Sequence, residues 1–179
     1  NKKSPMAGKI SEIQKAQVGD LPLIMETFIA CTSEMRKQGI QQWDYTYPEP
    51  GQVLNDIKEG AVFIIKKNNR CIGTITLDDK QDKQYKEVNW TFNGGKSMVI
   101  HRMAVHPLAQ GEGYGKLLCQ FAFNFAKLKG YSSIRLDAYS GNPVSNILYQ
   151  KCGFEVAEGF CFFHGNLKPF ICYEAPVES

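Results

Sequence analysis

Seven consecutive residues, Gln110-Gly111-Glu112-Gly113-Tyr114-Gly115-Lys116, carry the clearest chemical signal in this chain. Glycine at every second position leaves main-chain N–H groups unshielded and permits dihedrals that other residues avoid. Such a run feeding a helix meets four orphan N–H donors and the positive end of a helix dipole. The chemistry on offer is anion binding, with phosphate or pyrophosphate as the natural guest and Lys116 as an added point charge. Two nucleotide fingerprints do not fit. A triphosphatase loop needs a hydroxyl residue after the lysine to hold magnesium, and Leu117 stands there. The dinucleotide pattern G-x-G-x-x-G is absent, and no acidic residue closes a second strand ~20 residues on.

The elements that position this loop are legible on both sides. Residues 99–105 are apolar and β-branched enough for a buried strand, and Pro107 stops it because proline cannot donate to a ladder. Beyond Gly113, Leu117, Leu118, Phe121, Ala122, Phe125 and Ala126 recur at helical spacing, the stripe of a helix laid on a sheet. Further out, residues 10–16 read as a first strand, and Asp20 as the N-cap of a helix through about Gln38. An aromatic loop follows, then a short helix over 50–59 and strands over 61–66 and 71–77 joined by an Asn68-Asn69 turn. Residues 78–86 are a polar loop and 88–92 a further short strand. Strand 134–138, helix 142–152 and a final pair over 154–163 and 170–174 complete the chain. Strands crowd the first half and alternate with helices later, which places the fold in the α/β (α+β) class, a mixed sheet covered on both sides.

At 179 residues the chain is one domain by length, read as 10–179 after a flexible segment over 1–9. A net charge of +3 suits an anionic ligand without pointing to nucleic acid. No apolar run spans a membrane and no signal peptide is visible, so a cytoplasmic location is expected. Six scattered cysteines with no C-x-x-C pair read as reduced thiols, and His101, His106 and His164 show no metal-ligand spacing.

Gln110, Gly113 and Gly115 fill the pattern Q/R-x-x-G-x-G/A, and they follow a strand ending Met-Ala-Val-His-Pro. This resembles the acetyl-coenzyme A loop of the GNAT superfamily of N-acetyltransferases. Asn142, Ser145, Tyr149, Gly153 and Phe154 match that superfamily's second motif, N-x-x-[AS]-x-x-x-Y-x-x-x-G-F, in order. The two motifs together cover residues 99–154. The resemblance implies a mostly antiparallel sheet of about six or seven strands with a central splay, flanked by about four helices. It implies that the main chain of Met103, Ala104 and Val105 pairs with a pantetheine arm as an added strand does. Residues 110–116 (Gln110, Gly111, Glu112, Gly113, Tyr114, Gly115, Lys116) would take the pyrophosphate, with Asn142 touching the arm and Lys151 reaching a phosphate. Asn142 before Pro143 is equally the signature of a helix N-cap.

The implied activity is transfer of an acetyl group from acetyl-CoA to a primary amine of a small molecule or peptide, by direct attack through a tetrahedral intermediate. Tyr149 is the residue expected to assist departure of the thiolate, since a phenol of pKa about 10 can donate to a thiol of pKa about 8.5. A main-chain N–H near Val105 would polarise the carbonyl. Asp137 is a candidate base, and its side chain lies opposite Leu136 and Ala138 on its strand. His101 is expected to share a strand face with Met103 and Val105, as an alternative base or a satisfied core histidine. Trp43, Tyr45 and Tyr47 form an aromatic cluster suited to an amine acceptor, or a cap on the core. No metal is called for, and a homodimer stays open. Two other functions compete with acetyl transfer: a non-catalytic acyl-CoA-binding module, and a nucleotide-binding enzyme built on the glycine loop.

Overall fold

The computed structural model describes residues 9–163 and 165–178. The segment expected over 1–9 therefore lies outside the described residues except for Lys9, and His164 lies outside them too. In chain order the elements are β1 (Ile13–Lys15), α1 (Leu21–Lys37), α2 (Pro50–Lys58), β2 (Val62–Lys67), β3 (Arg70–Asp78), β4 (Ser97–Val105), α3 (Tyr114–Leu128), β5 (Ser133–Tyr139), α4 (Pro143–Lys151), β6 (Glu155–Cys161) and β7 (Phe170–Pro176). The seven strands form one sheet in the order β1-β2-β3-β4-β5-β7-β6. Every neighbouring pair is antiparallel except β4 with β5. A mostly antiparallel sheet of seven strands flanked by four helices is the architecture the resemblance implied, and its one parallel join lies at the centre.

Strand alternation sorts the side chains onto two faces. Phe63, Ile65, Ile75, Leu77, Met98, Ile100, Ile134, Leu136 and Tyr173 point one way, into a core shared with Leu117, Leu118 and Ala122 of α3 and Tyr149 of α4. Val62, Ile64 and Ala104 point the other way, under Ile24 and Phe28 of α1 and Val53 and Ile57 of α2. Val99, Tyr139, Phe170 and Cys172 continue that second face beneath Tyr85 and Val88. The expected Asn68-Asn69 turn is present, with φ of 52° and 58° at the two asparagines, as the tight hairpin between β2 and β3 requires.

Four local expectations give way to longer-range contacts. Residues 10–16 are not one strand: Ile10–Glu12 is a 3-10 helix, and pairing with β2 covers only β1. Asp20 stands at the N-cap position of α1 but its side chain makes no capping bond, because its carboxylate accepts the Gln17 N–H at 2.8 Å and pairs with Lys66 at 2.9 Å. Residues 88–92 are not a strand. The buried Glu174 carboxylate takes the Thr91 and Phe92 N–H groups at 2.9 and 2.8 Å, which leaves one isolated bridge between Asn89 and Glu158. The strand expected over 154–163 is the shorter β6.

Candidate active site

Pairing of β4 with β5 runs only from Ser97↔Ser133 to Val99↔Arg135. Past that rung the two strands separate, while β4 stays paired with β3 and β5 with β7. The gap is the central splay. Its β4 wall is shaped by a bulge: Thr76 pairs with His101 and Thr74 with Ala104, so Ile75 alone faces Arg102 and Met103. Arg102 takes a left-handed φ of 46°, costly for a side-chain-bearing residue, and its guanidinium is bound to the buried Asp56 carboxylate of α2.

The bulge overturns one expectation. His101 does not share a face with Met103 and Val105. The extra residue reverses the alternation, so Met103 and Val105 pack with the α3 core while His101 lies on the α1/α2 face. The bulge also sets the main chain. His106 N–H bonds the Ile72 carbonyl at 2.9 Å, which makes Val105↔Gly73 a non-hydrogen-bonded pair of the ladder. The polar main-chain groups of Val105, and of Met103 two residues earlier, therefore face away from β3 and into the splay. The Val105 carbonyl already accepts from Gln110 Nε2 at 3.1 Å and from the buried Cys31 thiol at 3.2 Å. Gln110 thus folds back on β4 and braces the loop instead of reaching outward.

At the mouth of the splay, Gly111 and Gly113 take φ of 80° and 90°, and residues 110–113 are exposed. The first helical bond of α3 is Leu117 N–H to the Gly113 carbonyl at 3.1 Å. Among the described residues, the N–H groups of Gly111, Glu112, Gly113, Tyr114, Gly115 and Lys116 have no acceptor. Six successive free amides at a helix start make an anion cradle. Lys116 is exposed beside it. The other two side-chain positions do different work. The Tyr114 ring is buried in the core with its hydroxyl accepting from Lys67 at 3.0 Å, and Gly115 lies in the first turn of α3 where a Cβ would come within 2.8 Å of Leu148. Lys151 is exposed one helical turn beyond Leu148 on the same side of α4.

Asn142 performs the capping role: its Oδ1 accepts the Ser145 N–H at 3.3 Å, while its Nδ2 donates to Gln42 of the α1–α2 loop at 3.0 Å. Tyr149 projects from α4 into the core beneath the splay, edge-on to Phe154 and beside Tyr173. Among the described residues its hydroxyl has no hydrogen-bond partner. Burial, reinforced by Cys119 and by the Asp137 charge, pushes its phenol far above the ordinary value, so it stays protonated at neutral pH. Asp137 lies on the opposite face, where its carboxylate accepts the Tyr85 hydroxyl at 2.5 Å. Burial raises the Asp137 carboxyl against the opposing effects of Tyr85 and His101.

The aromatic cluster does not stay together. Trp43 is only 9% exposed and packs edge-on against Phe28, so its ring belongs to the core. Tyr45 and Tyr47 are 63% and 42% exposed and remain open at the α1/α2 face. Sequence reasoning missed Tyr85 as the partner of Asp137, Asp78 as the partner of His101, and Cys31 as a donor to the Val105 carbonyl. No local pattern marks any of these. Each is a meeting of residues at least 23 positions apart. Among the described residues, no three His, Cys, Asp or Glu side chains converge to hold a metal, and no helix is long and apolar enough to cross a membrane.

Comparison with known proteins adds to this geometry. The family model described as "Acetyltransferase (GNAT) family" matches residues 22–154. A Bacillus subtilis protein named uncharacterized N-acetyltransferase YesJ is 26% identical over 126 residues, 68% of each chain. Among solved structures, a GNAT-family acetyltransferase from Streptococcus agalactiae aligns with a TM-score of 0.76 at 19% identity, over 93% of this chain and 95% of that one. An acetyltransferase structure from Salmonella typhimurium, solved with its cofactor acetyl-CoA, aligns with a TM-score of 0.67 at 17% identity, over 93% and 94%.

Proposed function

This chain belongs to the GNAT acetyltransferase family, and from that premise we propose that it transfers an acetyl group from acetyl-CoA to a primary amine of a small molecule or peptide. The observation that carries the reading is the row of six unpaired amides over residues 111–116, opening onto a gap between two strands. The cradle suits a diphosphate, because its six amides lack acceptors and its first residues, 110–113, are exposed. The splay suits an extended amide-bearing arm, because Met103 turns its main-chain groups, and Val105 its N–H, along its β4 wall. Bound there, acetyl-CoA supplies an activated thioester carbonyl.

The residues of this chain have separate tasks. The cradle and β4 hold the donor in register, and holding the two reactants together is the largest contribution to such a transfer. The Val105 N–H faces the splay and donates to the thioester carbonyl oxygen as charge builds on it. Tyr149 enters from the α3/α4 face as a protonated phenol and donates a hydrogen bond to the departing sulfur. Its weakened acidity makes it a hydrogen-bond donor first, since each unit of mismatch against the thiol costs about 1.4 kcal/mol for full proton transfer. The acceptor approaches from the α1/α2 face, past Tyr45 and Tyr47.

Two measurements test this. Calorimetry on the full chain is expected to show coenzyme A binding, weakened by Gly113→Val. Free thiol is expected from acetyl-CoA only when an amine from a broad panel is supplied. Coenzyme A binding without thiol release from any amine would favour a non-catalytic acyl-CoA-binding module, and absence of coenzyme A binding would end the reading altogether.

A further inference from the structure

His101 and Asp137 stand opposite each other where the sheet opens. Each lies two residues past the last β4–β5 rung, Val99↔Arg135, and on the same face as that rung's side chains, ahead of the bulge. Both are held. His101 Nε2 lies 2.7 Å from Asp78 Oδ1 at the end of β3, and the same oxygen accepts the Lys80 N–H at 2.9 Å. Asp137 is held from the other side by the Tyr85 hydroxyl. The His101 side chain is 25% exposed and that of Asp78 13%, so the imidazole is reachable while its partner is largely covered.

The pairing determines where the imidazole's lone pair lies. Burial alone would raise the Asp78 carboxyl, but the His101 contact and the Lys80 N–H outweigh it and hold it below the ordinary carboxylate range. An ionised carboxylate can only accept, so Nε2 carries the hydrogen. In the neutral ring Nδ1 is then the basic nitrogen, and among the described residues it has no partner. The charged surroundings select the guest. Asp78 at the end of β3, Asp137 on β5 and the nearby Asp82 all face this opening or lie beside it, with Tyr85 as a neutral donor. Among the neighbouring cations, Arg102 is committed to Asp56 and Lys80 Nζ to Glu59, while the Arg135 guanidinium, one pleat back on the same face, is turned to Gln81, the Phe92 carbonyl and the Trp90 ring. An anionic guest would meet three carboxylates, whereas an ammonium meets one lone pair and one carboxylate.

We propose that His101, oriented by Asp78, is the base that takes a proton from the acceptor, and that Asp137 holds the same nitrogen, so that the acceptor enters as a protonated primary alkylamine from the α1/α2 face. This rests on the acetyl-transfer reading above. The ammonium gives one proton to Nδ1, which passes it to water. The freed nitrogen lone pair forms the C–N bond, the C–S electron pair leaves with sulfur, and the second proton shed by nitrogen ends on that sulfur. Base and hydrogen-bond donor then act from opposite faces of one sheet, His101 on the acceptor side and Tyr149 on the donor side. Asp78 is a positioning residue in this scheme.

The test is nitrogen NMR of the full chain labelled at histidine, with coenzyme A present and the His101 signals assigned from His101→Gln. The neutral ring is expected as the Nε2–H tautomer. Protonated n-butylamine should shift its signals saturably and n-butanol should not, and Asp137→Asn should weaken the n-butylamine response at least roughly tenfold. Asp78→Asn should relax the ring's tautomer preference, because an amide can donate as well as accept. Thiol release dependent on n-butylamine should fall with it while coenzyme A affinity stays put. An Nδ1–H tautomer, a ring indifferent to n-butylamine, or thiol release unchanged in Asp78→Asn overturns the proposal. If calorimetry still shows coenzyme A binding in that event, this inference fails alone. If coenzyme A does not bind, the acetyl-transfer reading fails and takes this one with it. Thermal unfolding of each variant checks that a lost response does not come from lost fold.

Discussion

Val99 and Arg135 face each other across the last rung of the β4–β5 ladder, and the sheet divides immediately beyond them. Below the rung the strands are held as an ordinary parallel pair. Above it, β4 is bulged at Arg102, and its free main-chain edge leads up to the amide cradle at the start of α3. A single break in pairing thus opens the gap, exposes Met103 and Val105, and brings Tyr149 and Asp137 to opposite sides of one opening. The Asp137 charge is felt at the Tyr149 hydroxyl although the two lie on different faces of the sheet.

Gly113→Val should weaken coenzyme A binding at least tenfold in calorimetry. With φ at 90°, a side-chain-bearing residue costs about 1–2 kcal/mol there, and a β-branched one is the least tolerated. The loop would relax and turn its amides away, while circular dichroism should still report an intact α3. Gly113→Asn is expected to fall between the two, since asparagine tolerates the left-handed region.

Tyr149→Phe should lower kcat by roughly 100-fold and leave coenzyme A affinity within about twofold, the pattern of a group that acts on the departing atom. The ring contacts with Phe154 and Tyr173 survive in phenylalanine, so the thermal midpoint should hardly move. Equal losses in affinity and turnover would assign Tyr149 to packing.

Arg102→Met should destabilise the fold by about 3–5 kcal/mol in urea titration, because it strands the Asp56 carboxylate in a buried place. Adding Asp56→Leu should recover much of that loss. If the single substitution cost under 1 kcal/mol, the pair would not be what anchors α2 over the bulge.

Asp137→Asn should raise the thermal midpoint at pH 7. A carboxyl whose folded value is raised above its unfolded one contributes stability that is full below the unfolded value and lost as pH climbs through the folded one. Removing it therefore relieves the fold at neutral pH and gives no relief below pH about 4, near the unfolded value. Asp78 has the opposite sign. Its lowered carboxyl contributes stability present above the unfolded value and lost as pH falls through the folded one, so Asp78→Asn should destabilise at pH 7 and flatten the acid limb of the stability curve.

Gly115→Val should cost about 1–3 kcal/mol by driving a side chain into Leu148, which a Cβ already approaches to 2.8 Å. Leu148→Ala in the same chain should restore part of the stability, a coupling readable in a double-mutant cycle. Two additive losses would mean that α3 and α4 do not meet at this point.

The glycine loop, the helix stripe beginning at Leu117, the Asn68-Asn69 hairpin and the Asn142 cap were all legible in the chain itself. Each depends on dihedral preference, spacing or capping chemistry within about ten neighbouring residues. The side to which a residue turns was not legible wherever a distant partner decided it. His101 changed face because a bulge is a property of two strands, and nothing in β4 alone announces that Ile75 will face two residues. Trp43 joined the core because Phe28 was there to receive it, and residues 88–92 lost their ladder because Glu174, more than 80 positions later, claimed two of their amides. Local stereochemistry sufficed for the row of free amides at the start of α3. The placement of His101, Asp137 and Tyr149 about the splay came only from tertiary pairing, since hydrogen bonds and buried charges are satisfied by whichever groups the folded chain brings within reach.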